Sequence, residues 1–257
     1  MEIVNFIHPN AKISKGVEVG YFSVIENDVE IGEGTIIGHN VTIFSGARIG
    51  KNCKIFPGAV IAAIPQDLKF KGEYSLVEVG DNTTIRECVT LNRGTADRQK
   101  TTIGKNCLLM AYVHIAHDVI VGDNCIIANS ASIAGHVVIG DHVVIEGIVG
   151  IQQFVRIGRH AFIAGGSKVR KNIPPYVKAA REPLAFAGVN TVGLARSGYE
   201  KTKINTIENI YRLIYVRNAN ISNGIKEVKE KLSQNNISEE ILEFIETSEN
   251  GVIKGLI

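Results

Sequence analysis

The chain has 257 residues, 45% of them hydrophobic and 21% charged, with a formal net charge of +2. Such a composition belongs to an ordinary globular protein with a sizeable core, and it lacks the concentrated basic face with interleaved aromatics that nucleic-acid binding asks for. Cys53, Cys88, Cys107 and Cys125 form no CxxC pair and no metal-ligand spacing, so free thiols in a reducing compartment are expected. The opening MEIVNFIHPN has neither a basic leader nor a long apolar run, and no later stretch is apolar for the length of a membrane span. A cytoplasmic location without a transmembrane segment is therefore expected.

From Ile7 onward an apolar residue recurs every six positions: Ile7, Ile13, Val19, Ile25, Ile31, Ile37, Ile43, Ile49, Ile55 and Ile61, then Val79, Ile85 and Leu91, then Ile103 through Val169. Of the 28 positions in this register, 25 are Ile, Val or Leu, which neither a helical period of 3.6 nor a strand period of two produces. The exceptions are Asp67, Glu73 and Asp97. They predict loops extruded from the repeat near 62–78 and 96–102. The residue after a register position is often Gly, as at Gly20, Gly50, Gly122 and Gly158, and four places after it stands a small or β-branched residue such as Ala11, Thr35, Cys53, Cys107, Cys125 or Ala131. Three of the four cysteines thus read as small core fillers. One apolar residue per six is the hexapeptide pattern of a parallel β-helix, three hexads to a coil, expected over residues 1–175. The pattern stops at Pro174 and Pro175. Beyond it, residues 176–257 are expected to form a small helical domain that caps the last coil: Ile204, Ile207, Ile210, Tyr211 and Ile214 have helical spacing, Ser222 is placed to cap a segment through Leu232, and Ser238 before Glu239 and Glu240 is a helix start.

With eighteen residues to a coil, positions eighteen apart stack at about 4.8 Å, the interstrand spacing. In the stretch His114, Ile115, Ala116, His117, Asp118, one column then holds His117, Gly135 and Gln153, and its neighbour holds Asp118 and His136. The cluster offers what acyl transfer to a hydroxyl needs, a base near neutrality and a backbone donor for the developing oxyanion, although outward His and Asp residues also serve simply to solvate a face. His142 and His160, likewise eighteen apart, read as a solvated face.

The opening IHPNA, the loop QDLKFKGE, the run IRECVTLNRGT, the central LLMAYVHIAHDVIVGDNCIIANSASIAGHV, the stretch QQFVRIG, the exit PPYV and the GVN of the tail together resemble the UDP-N-acetylglucosamine O-acyltransferases of lipid A synthesis. The resemblance implies a left-handed coil, a hand the period alone does not give. It implies transfer of a 3-hydroxyacyl group from acyl carrier protein to the 3-position of UDP-N-acetylglucosamine by a homotrimer, with no cofactor and no metal. It makes His117 the general base, Asp118 its support and the Gly135 amide the oxyanion donor. His114, His136, Asp67, Lys69, Gln153, Asn190 and Arg196 become substrate contacts, with Gln66 beside them, and Gly165 the position that limits acyl-chain length. Gln152 stands where the pattern has a histidine, Val192 where an acidic residue is usual, and Ser197 where a second basic residue is usual.

Those departures leave open an N-acylating relative that uses a 3-amino sugar. A coenzyme A-dependent acetyltransferase, a metal hydrolase using His114, His117 and His136, and a non-catalytic solenoid are the other readings of the same hexads. Cys88, with Asn106 expected above it, shows no base beside it for a covalent route. Arg156, Arg159, Lys168, Arg170, Lys171, Lys178 and Arg181 gather near the last coils and form a candidate docking rim for the acidic carrier protein.

Overall fold

Placing one isoleucine or valine in every six directs a side chain inward from each short strand, and the small fifth-place residue lets the chain turn toward the next face. In the computed structural model, which describes residues 5–218, 220–232 and 235–255, these strands build three parallel sheets of nine, eight and ten strands that enclose a prism, a hairpin strand included in the last. The register residues from Ile25 to Val169 are buried apart from Asp67, Glu73 and Asp97, with Cys53, Cys107, Cys125 and Ala131 filling the corners.

The pairing offset is 18 where the coil is plain, as in His114↔Ser132. It rises to 30 at Ile61↔Leu91 and to 24 at Leu91↔Ile115, where two excursions leave the prism. The first excursion occupies 64–75, because the strands Val60–Ala63 and Leu76–Val79 claim residues expected in the loop. The second occupies 93–99, because Lys100–Ile103 is already strand. The same offset moves the partner of Cys88: with Thr84↔Leu108 and Thr90↔His114 flanking it, the residue above Cys88 is Tyr112, not Asn106.

At the corners the chain takes left-handed backbone angles, and one corner column carries large exposed apolar residues in that conformation: Phe22, Tyr112 and Ile148, the last at φ 60° and 74% exposed. A β-branched residue is costly there. This corner lies between the nine- and ten-stranded sheets.

Past Pro175 the chain does not turn helical at once. Val177–Ala180 adds a parallel strand to the ten-stranded sheet and Ala185–Val189 returns antiparallel to it, closing the prism's end. Among the described residues four helices follow: α1 (Thr191–Arg196), α2 (Lys201–Arg212, continued as a π-helical turn to Arg217), α3 (Ile221–Lys231) and α4 (Asn236–Glu246). The expected helices exist, but their caps differ. Asn220 rather than Ser222 caps α3, and Asn235 caps α4 while the hydroxyl oxygen of Ser238, three residues on, accepts the Asn235 backbone N–H to complete a capping box. The α2 stripe Ile204, Ile207, Ile210 and Tyr211 is buried, and Phe186 stacks on Tyr215 at 4.5 Å. Polar ties fasten the cap to the prism: the Tyr211 hydroxyl donates to Pro175 O at 2.6 Å, the Tyr176 hydroxyl donates to Glu240, and Arg159 pairs with the same carboxylate at 2.7 Å. Replacing Tyr211 by Phe strips a buried carbonyl of its donor and is expected to cost about 1–3 kcal/mol, read as a lowered midpoint in denaturant unfolding.

Candidate active site

The corner between the nine- and eight-stranded sheets carries the His117 column. His117 is 5% exposed and Asp118 fully buried, because the 93–99 excursion folds over them. Both side chains point out of the prism, as the hexad position dictates, yet they are covered. Asp118 Oδ2 lies 2.8 Å from His117 Nδ1 and accepts the Thr95 hydroxyl at 2.6 Å. Asp118 Oδ1 accepts the backbone N–H groups of Thr95 (3.0 Å) and Arg98 (3.2 Å), and the Arg98 guanidinium donates to Asp118 O at 2.7 Å. Burial alone would raise the Asp118 pKa, but the hydrogen bonds from Thr95, His117 and Arg98 outweigh it and hold the carboxyl below its ordinary value. An ionised Asp118 keeps the proton on His117 Nδ1 and leaves the Nε2 lone pair free.

Gly135 stacks on His117 as the eighteen-residue spacing predicts. A Cβ added at Gly135 would lie 2.6 Å from His117 Cε1 and 2.7 Å from Nε2, so only glycine admits the ring. The Gly135 N–H makes no hydrogen bond among the described residues. His136 stands edge-on to His117 with ring centroids 5.1 Å apart and stacks on Phe154 at 4.6 Å. Its Nδ1 comes within 3.0 Å of Asp97 Oδ2 without hydrogen-bond alignment. His114 shares a hydrogen bond of 2.7 Å with Thr90 Oγ1, and burial lowers its pKa.

The longer excursion brings Asp67 Oδ2 to 3.9 Å from His117 Nε2. A cavity of about 510 Å³ opens there, lined by Gln66, Asn92, His114, His117, Gly135 and Gln153 among others. Lys69 donates its backbone N–H to Asp67 Oδ1, its side chain is exposed, and it is not among the lining residues. Ligand-capable atoms of His117, Asp118 and His136 lie within 4.8 Å of one another. The Asp118 oxygens are already taken by four internal hydrogen bonds, so the set presents no free carboxylate to a metal.

Asn190 and Arg196 are not in this cavity. They line a second one of about 480 Å³ on the ten-stranded face, with His142, His160, Phe162, Lys178 and Val192. Asn190 spends its amide internally, donating to His160 O at 2.9 Å and capping α1 through Gly193. The reading of His142 and His160 as a solvated pair is corrected. His160 is buried, lies flat against His142 at 4.6 Å and faces Tyr176 and Tyr199, and its pKa is pushed down to about 4, mainly by burial and also by the charges of His142 and Arg159. Gly165 sits at the apolar corner, where its N–H donates to Glu146 Oε2 at 2.8 Å. The basic rim is smaller than its sequence suggests: Arg156 binds Thr247, Arg159 binds Glu240 and Lys171 binds Asn250 O.

Thr95, Arg98, Asp97, Asn92 and Glu146 escape the sequence reading. Asp97 broke the hexad register, the one signal that pointed to its loop. Gly135→Ala is expected to displace the imidazole and lower turnover on the order of 10²-fold with the assembly unchanged, as steady-state kinetics beside sedimentation would show.

A family model described as UDP-N-acetylglucosamine O-acyltransferase, domain 2, matches residues 172–253, and a bacterial transferase hexapeptide model matches 10–45 and 100–135. An acyl-[acyl-carrier-protein]–UDP-N-acetylglucosamine O-acyltransferase of Sulfurihydrogenibium sp. is 57% identical over 96% of this chain and 93% of its own. The enzyme of that name from Trichlorobacter lovleyi is 47% identical over 97% of each. The crystal structure of a UDP-N-acetylglucosamine acyltransferase from Bacteroides fragilis matches with a TM-score of 0.96 at 46% identity, covering 99% of this chain and 100% of that one. With that likeness comes the coil's hand, and the prism is a left-handed parallel β-helix.

Proposed function

The chain belongs to the acyl-[acyl-carrier-protein]–UDP-N-acetylglucosamine O-acyltransferase family, and from that premise we propose how its own residues divide the reaction. It transfers an acyl group from acyl carrier protein to UDP-N-acetylglucosamine, the first step of lipid A synthesis. The acceptor is thus a hydroxyl, in spite of Gln152, Val192 and Ser197. The observation that carries the mechanism is the His117 ring, clamped by Asp118 on one nitrogen and packed against Gly135 beside an open cavity.

In our reading His117 Nε2 takes the proton of the sugar 3-hydroxyl as its oxygen attacks the thioester carbonyl of the 3-hydroxyacyl donor. The carbonyl π pair moves onto oxygen, and the unpartnered Gly135 N–H stabilises that charge. Asp118, ionised, balances the imidazolium. The intermediate collapses by breaking the C–S bond, and the carrier's phosphopantetheine thiolate leaves with the proton from Nε2. Asp67, Gln66, His114, His136 and Gln153 contact the substrates around this centre. Lys168 and Arg170, which line the cavity, and Lys178 and Arg181 beyond it remain to attract the acidic carrier. His117→Ala is expected to cost on the order of 10²–10⁴-fold in turnover, with acyl carrier protein and coenzyme A donors assayed side by side. Unimpaired transfer in that variant would remove His117 as base, and equal use of coenzyme A would favour the acetyltransferase reading.

We also propose that the working unit is a homotrimer in the cytoplasm. The His117 cavity opens on the nine-stranded face, whereas Asn190 and Arg196 line the cavity on the ten-stranded face. A threefold axis along the Phe22, Tyr112 and Ile148 corner turns one face toward the other in the next copy, which unites the two cavities and covers the strained apolar corner. Gly165, at that corner, then borders the acyl path and sets its length, with the Glu146 carboxylate beside it. Each site would take His117 from one copy and Arg196 from another. Mixing the inactive variants His117→Ala and Arg196→Ala by co-expression should therefore restore activity, through mixed trimers with some intact sites. Absence of any rescue would place both residues in one subunit's site.

A further inference from the structure

Asn92 ends the strand Thr90–Asn92, at the point where the chain enters the 93–99 excursion, and it is 2% exposed. Its Nδ2 donates to Ile64 O at 3.0 Å, across to the first residue of the 64–75 excursion. That bond fixes the amide's orientation, since a flipped amide would set oxygen against oxygen. The Oδ1 atom is consequently the end left over, and it makes no hydrogen bond among the described residues. Asn92 lines the same cavity as His114, His117 and Gly135. Ala116 and Ala134, which follow it in its column, have methyl side chains, and their backbone N–H groups donate to Ile133 O and Ile151 O.

A buried acceptor without a donor is destabilising, and most buried polar atoms are satisfied. Nearby polar atoms are turned elsewhere: His114 Nδ1 meets Thr90 Oγ1, and the Thr95 hydroxyl donates to Asp118. A ligand group entering the cavity would have to be a donor, and both substrates bring hydroxyls: the 3-hydroxyl of the acyl chain and the 4- and 6-hydroxyls of the sugar. We propose that Asn92 Oδ1 accepts a hydrogen bond from one substrate hydroxyl and selects for substrates that carry it. This rests on the placement of the reaction at His117. A site holding a buried acceptor discriminates against an analogue lacking the hydroxyl, because that analogue leaves the acceptor unpaired.

The test pairs enzyme variants with substrates lacking one hydroxyl at a time: an acyl carrier protein bearing an unsubstituted acyl chain, and the 4-deoxy and 6-deoxy forms of UDP-N-acetylglucosamine. The unmodified enzyme should lose on the order of tenfold to a hundredfold in kcat/KM on one of the three, and that one identifies the hydroxyl. Asn92→Leu, close in shape and without the acceptor, should lower kcat/KM for the full substrates by a similar factor and erase the penalty for that analogue alone. An equal loss on every substrate, or none, would overturn the proposal. Should Asn92→Leu fail to fold, Asn92→Ala is read by the same criteria. Failure of both to fold would assign Asn92 to holding the excursion through Ile64 and overturn it as well. A His117→Ala control separates the two readings. Full activity there removes the base, whereas an inactive control with a uniform Asn92→Leu loss removes only the hydroxyl contact.

Discussion

Each coil of the prism repeats the backbone of the coil beneath it, strand on parallel strand and in register, and the site depends on that repetition. In-register pairing turns a sequence separation of 18 into a neighbouring position one rung away, as at Ser132↔Gly150. It is what sets Gly135 against His117 and Phe154 against His136. The register cannot slip by one residue without turning every buried isoleucine into solvent, so the His117 column is held by the whole core rather than by its own contacts. Rigid placement of this kind suits the role proposed for His117, a base that must meet a hydroxyl and a thioester together.

Much of this was legible because a period of six coincides with no other common repeat. The prism, the helical stripe of Ile204, Ile207 and Ile210, and the His117, Gly135, Gln153 column follow from counting alone. The coil's hand does not, since both hands bury the same residues. Counting failed where an excursion intervenes: Cys88 meets Tyr112 because six extra residues lengthen its coil.

Burial of polar residues was the least legible feature. Hexad position gives the direction of a side chain relative to the prism but not what folds over it. Asp118 points outward and is fully buried under Thr95 and Arg98, and His160 is buried under the cap's Tyr199. Asn190 looked like a ligand contact, and it also fastens α1 to the last coil. Charged residues near the exit resembled a docking rim, yet Arg156 and Arg159 hold the helical cap in place. Partners from distant segments decide these cases, and no local pattern announces them.

The two excursions lengthen their coils to offsets of 30 and 24 while the neighbouring rungs keep 18. Closing a longer loop costs entropy only as the logarithm of its length, about 0.6 kcal/mol for a doubling. Neither excursion doubles its coil. The chain can therefore hang the Asp67 and Thr95 loops on the prism with almost no effect on the cooperativity of the rungs above and below. A scaffold of this kind separates the free energy of folding from the variation of its chemistry: the rungs tolerate new loops far better than they tolerate a changed core.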